Sequence, residues 1–157
     1  MNINFIGLMT EYDFDRCTGI FSNPKFIFPE QNTNVDRWFW EGAYSPNDSL
    51  FYPTITWNSY PKDTSRLLQF NLFATDIPAS CDTLYEQRNP NLFGALRLAP
   101  DNKIYMASWY NWDFPAYPYP DSVRNMYNEN LGVINYPDSI GKACNFQPFS
   151  FYLGGKR

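Results

Sequence analysis

Two stretches of the chain repeat one pattern of apolar and polar positions. Trp40-Glu41-Gly42-Ala43-Tyr44 leads through Ser45-Pro46-Asn47-Asp48-Ser49 into Leu50-Phe51-Tyr52, and Gly94-Ala95-Leu96-Arg97-Leu98 leads through Ala99-Pro100-Asp101-Asn102-Lys103 into Ile104-Tyr105. Alternation with period two reads as a strand. Pro presets φ and Asn or Asp tolerates the left-handed region, so each middle segment reads as a tight turn. Each stretch therefore predicts a hairpin. A second pattern also recurs: Leu67-Leu68-Gln69-Phe70-Asn71, running on to Cys81, matches Leu131-Gly132-Val133-Ile134-Asn135, running on to Cys144. A shorter relative, from Tyr12 to Gly19, contains Cys17. The three cysteines are almost evenly spaced, and each precedes an apolar run at 20–28, 83–86 or 146–153 that reads as a final strand.

The repeating unit is thus four strands: a hairpin, a longer connection and a second hairpin. Tandem four-stranded units are the mark of β-propeller blades, which commonly run about 40 to 45 residues. Long connections stretch the repeat here to roughly 60. The predicted fold is all-β, a partial β-propeller of about two and a half four-stranded antiparallel blades. Residues 1–29 form the outer hairpin of a preceding blade, 30–88 one blade and 89–157 the last. A β-sandwich is the competing architecture. Closed propellers use about four to eight blades, so 157 residues read as a fragment with apolar faces left open at both ends. Tyr44, Phe51, Tyr52, Phe70, Leu98, Ile104 and Tyr105 are assigned to the core between blades.

Composition narrows the chemistry. Aromatic residues make up 20% of the chain, which suits half-buried pleated surfaces, and 13 Pro with 8 Gly cut it into short segments. With no His, the Ser-His-Asp and Cys-His arrangements and the usual zinc sites are excluded. A net charge of −4 without any Lys/Arg cluster argues against nucleic acid as a partner. No stretch approaches the roughly 18 apolar residues of a membrane-inserted helix, and no signal peptide is visible at the start. Asp13-Phe14-Asp15 begins a calcium-loop spacing but Arg16 breaks it, so no metal or other cofactor is expected. Carboxylates such as Asp36, Glu41, Asp113, Asp121 and Glu129 show no spacing that selects a catalytic pair. If the cysteines occupy equivalent places in stacked blades, they lie at least about 10 Å apart, beyond the ~7 Å Cα reach of a disulfide, and read as small buried apolar residues.

From residue 93 to 155 the chain resembles the terminal propeller blade of secreted and cell-surface proteins of gliding bacteria, exported by type IX secretion. The resemblance rests on Gly94-Ala95-Leu96-Arg97-Leu98-Ala99-Pro100-Asp101-Asn102-Lys103-Ile104-Tyr105, on Leu131-Gly132-Val133-Ile134-Asn135-Tyr136-Pro137, on Gly141-Lys142-Ala143-Cys144-Asn145-Phe146 and on Leu153-Gly154-Gly155. It implies a WD40-like repeat placed outside the cell, with adhesion or gliding as its setting and the remaining blades of the parent chain as partners. The Gly-Leu-Pro continuation usual in such proteins is missing, which suggests a truncated C-terminus.

In an antiparallel unit, successive connections leave at alternate ends. One end collects Trp57-Asn58-Ser59-Tyr60-Pro61-Lys62-Asp63 and the longer 109–121 segment, with the Arg37-Trp38-Phe39 and Arg88-Asn89-Pro90 segments beside them. The other end has mainly short turns. Aromatics alternating with Pro make a stiff platform suited to sugars or peptides. Trp57, Tyr60, Trp109, Tyr110, Trp112, Tyr117 and Tyr119 are the candidate binding residues, for a surface protein or glycan. The expected function is non-catalytic binding. Alternatives are part of a polysaccharide-acting enzyme whose site lies mostly in other blades, and a purely structural repeat.

Overall fold

The structure, a computed structural model, describes residues 9–28, 36–58, 64–88, 91–110 and 126–155. Ten strands carry the fold: β1 (Met9–Asp15), β2 (Ile20–Phe28), β3 (Asp36–Tyr44), β4 (Leu50–Asn58), β5 (Thr64–Asn71), β6 (Asp82–Arg88), β7 (Asn91–Leu98), β8 (Ile104–Tyr110), β9 (Asn130–Ile134) and β10 (Phe146–Tyr152). The only other regular structure among the described residues is short: one helical turn, α1 (Met126–Glu129), and two 3-10 turns. The expected all-β class holds. Strands β3 to β6 pair in chain order as a four-stranded antiparallel sheet, β7 to β10 as a second, and β1 with β2 as a hairpin.

The two sheets repeat each other pair by pair. In the first, Phe39, Gly42 and Tyr44 oppose Ile55, Pro53 and Phe51. In the second, Phe93, Leu96 and Leu98 oppose Ser108, Met106 and Ile104. A bulge falls at the same place in each, after Phe39 and after Phe93. Each turn carries a left-handed residue after the Pro-Asx pair begins, Asp48 at φ 56° and Asn102 at φ 61°. The first turn is one residue longer, Pro46–Ser49 against Pro100–Asn102, as the Ser45 N–H to Leu50 and Ala99 N–H to Lys103 hydrogen bonds show. Tyr52 and Tyr105 therefore hold equivalent positions.

The sheets stack, and alternation decides what each face buries. One face of the first sheet, its near face, packs Ile55, Leu68 and Phe70 with Ile27 and Met9 of the hairpin. Its far face packs Ala43, Tyr52 and Leu67 against Phe93, Ile104 and Ile134, which form the near face of the second sheet. Phe39, Phe51 and Phe70 are equivalent in register to Phe93, Ile104 and Ile134, so the two interfaces use the same positions. Tyr52 crosses the sheet–sheet interface. Its hydroxyl donates to the Pro137 carbonyl (2.6 Å) and accepts from Gln69 Nε2 (2.7 Å), while the Gly141 N–H donates to Gln69 Oε1 (2.7 Å). Burial pushes the Tyr52 phenol far above its ordinary pKa.

Several expectations need correction. Tyr44 and Leu98 are exposed: they are the last residues of β3 and β7 before the turns, beyond the cover of the neighbouring layer. Of the cysteines, all unbridged, only Cys144 is buried; Cys17 and Cys81 lie in exposed connections. The turn end is not mainly short turns either. The β5–β6 and β9–β10 connections, 72–81 and 135–145, are long, and the second supplies Pro137, Ser139 and Gly141 to the interface. Last, the hairpin β1–β2 packs on the first sheet through Met9 and Ile27 near its base, and residues 12–26 stand exposed as an arm.

Candidate binding face

Because β4 ends where β5 begins and β6 ends where β7 begins, the strand ends that flank the connections 59–63, 89–90 and 111–125 lie at one end of the sheets. Tyr60, Trp112, Tyr117 and Tyr119 fall in these connections and lie outside the described residues. Trp57 belongs to β4, and Trp109 and Tyr110 to β8, where their backbones pair with Leu92 and Asn91. The sequence reading placed them in loops. An aromatic residue is as good a strand former as a platform residue, so residue type alone cannot fix where a strand ends.

On the near face, the Arg66 guanidinium lies 4.4 Å from the centre of the Trp57 ring. Arg66 sits on β5 beside the Trp57–Thr64 pair and is held in place by Glu86 on β6: its Nε donates to Glu86 Oε2 at 2.8 Å. Arg88 reaches the other carboxylate oxygen at 3.6 Å. These groups are partly exposed, so the pairs add at most about 1 kcal/mol and serve mainly to orient the guanidinium over the ring.

On the far face of the same sheet, Trp38 and Trp40 form an edge-to-face pair with centroids 6.0 Å apart, and both remain exposed. The pair went unremarked in the sequence reading, although Trp38-Phe39-Trp40 carried its signal: residues two apart on a strand share a face. Trp40 Nε1 donates to Thr56 Oγ1 (3.1 Å), and Thr56 shares a hydrogen bond with Ser65 (3.1 Å). Ser65 Oγ in turn accepts the Phe93 N–H of the second sheet (3.0 Å). This chain of bonds ties the tryptophan pair to the buried junction between sheets. Ser65→Ala strips the Phe93 N–H of that acceptor and is expected to cost about 1–3 kcal/mol in urea unfolding, with a change in Trp fluorescence as Trp40 loosens.

The end as a whole offers aromatic faces, one stacked cation and a carboxylate, groups chemically suited to polar, flat-faced ligands. Among the described residues no group of three or more His, Cys, Asp or Glu could hold a metal ion. No helix among them is long and apolar enough to cross a membrane. No known family model matches the chain, and no curated protein matches it.

Proposed function

We propose that the chain is about two and a half blades of a β-propeller, WD40-like, belonging to a non-catalytic protein placed outside the cell or on its surface. It binds a protein or glycan through the aromatic end of its sheets, and adhesion or gliding is the setting that its resemblance to type IX-secreted proteins implies. What supports the propeller is the repeat of register, bulge, turn and stacking face between the two four-stranded sheets. The observation that carries the binding reading is the Trp57–Arg66 stack and the Trp38–Trp40 pair at one end of one sheet. In this reading the parent's remaining blades cover the open faces.

A glycan array with a parallel hydrolysis assay tests it. The wild-type chain is expected to retain at least one glycan or surface protein without turnover. Trp38→Ala, Trp57→Ala, Trp112→Ala and Tyr119→Ala keep the far-UV CD spectrum, and retention falls at least about tenfold in one or more of them, the scale for losing a stacked aromatic anchor. Unchanged retention in all four removes the aromatic end as the site. Release of reducing sugar points instead to an enzyme.

A further inference from the structure

The stack of layers has a direction. The near face of the second sheet rests against the far face of the first, and the near face of the first sheet rests against the arm. At the far face of the second sheet this order breaks off. There Tyr105 repeats the place of Tyr52, and Phe151, opposite Leu131, repeats the place of Tyr85, opposite Leu67. In the first sheet, Tyr85 packs on Phe93 and Phe146 of the next layer. In the second sheet, Phe151 packs within its own sheet, against Tyr105 at 5.0 Å, and stays 44% exposed. Tyr105 turns its hydroxyl back onto Asp101 of its own turn (2.8 Å), where Tyr52 reaches the neighbouring sheet.

The opposite end shows the complementary surface. On the arm, Met9 and Ile27 lie on the side of the first sheet, so alternation along β1 turns Tyr12 and Phe14 outward. Phe21 pairs with Phe14 across the hairpin, its ring 4.8 Å from Phe14 and 6.2 Å from Tyr12. These three rings are 51–67% exposed and form one continuous aromatic surface on the side away from the stack. That is the side a near face occupies.

We infer that two copies of the chain associate head to tail, with the outer aromatic surface of the β1–β2 arm of one copy seated on the far face of the second sheet of the other. The contact continues the interface already present between layers, with apolar rings on both sides and unlike faces meeting. It is a heterologous contact, so a pair of copies keeps one free face of each kind and can add a further copy or close a ring. The inference is independent of what the aromatic end binds; in the 157-residue chain a second copy takes the faces that the proposed function gives to the parent's remaining blades.

Sedimentation of the 157-residue chain over a concentration series tests it. The wild-type mass is expected to rise from 18.4 kDa to at least twice that value. An arm-blocked variant (Phe14→Asp with Phe21→Asp) and a sheet-blocked variant (Phe151→Asp) each stay monomeric alone. Mixed in equal amounts they form one-to-one dimers and nothing larger, since each retains only one working face. If Phe151→Asp loses its CD spectrum, Phe151→Ser takes its place. A wild-type chain that is monomeric at every concentration overturns the inference. So does an arm-blocked variant that still associates to the wild-type mass, because the contact is then between like faces.

Discussion

Tyr52→Ala is expected to destabilise the chain by about 3–5 kcal/mol, the range for truncating a large buried aromatic. Tyr52 is fully buried, and its ring fills the junction between the two sheets. The substitution also strips the Pro137 carbonyl of its donor and Gln69 of one of its acceptors. A domain of this size has only about 5–15 kcal/mol in hand, so the two sheets are expected to lose their cooperative docking. Tyr52→Phe separates the contributions: the ring stays, the hydroxyl goes, and the cost falls to about 1–3 kcal/mol. Chemical denaturation followed by Trp fluorescence and far-UV CD reads both. Coincident transitions in the wild type and separated ones in Tyr52→Ala are the expected pattern. If Tyr52→Ala unfolds within about 1 kcal/mol of the wild type, the hydroxyl network is not what joins the sheets.

Much of this fold is legible in the sequence because its determinants are local. The Pro-Asn-Asp and Pro-Asp-Asn turns specify their own backbone, with Asp48 and Asn102 in the left-handed region. Alternation then fixes which residues share a face. What lies opposite that face is not a local property. Tyr52 and Gln69 find their partners in the 137–141 segment, some 70 to 85 positions further along. Nothing in the composition of Pro137–Gly141 distinguishes an interface loop from an ordinary turn. The arm shows the same limit. Its strands read correctly as a hairpin, but only packing could reveal that it touches the first sheet at its base and projects beyond it.

The candidate site was legible in part for a related reason. Aromatic residues clustered near strand ends pointed to one end of the sheets, and Trp57 carries a stacked cation there. Arg66 gave no sign of its role, since a single Arg in a strand acquires meaning only from the residue opposite. Its neighbours across the sheet, Ile55 on β4 and Glu86 on β6, belong to separate stretches of chain. The Trp38–Trp40 pair was readable from its spacing of two, once β3 was known to begin at Asp36.

The repeat itself leads to the second large effect. In the first sheet the space above Gly42 is filled by the Phe51 ring, so closely that a Cβ on Gly42 would overlap it. The equivalent positions in the second sheet are Leu96 and Ile104. One pair is small with large and the other medium with medium, seven side-chain carbons against eight, and both lie on a near face. Gly42→Leu alone overpacks this site and is expected to cost about 3 kcal/mol, the upper end for extra methylenes forced into a filled core. Phe51→Ile alone leaves a gap below the arm and is expected to cost about 1–2 kcal/mol. Together the two substitutions recreate the arrangement of the second sheet. The double variant is expected about 1 kcal/mol less stable than the wild type, a favourable coupling of about 3–4 kcal/mol, at or just above the top of the range seen for residues in contact. Thermal and urea unfolding of the four species close the cycle. Additive costs would mean that the two sheets share their register without sharing their packing, and that the equivalence of Gly42 with Leu96 ends at the backbone.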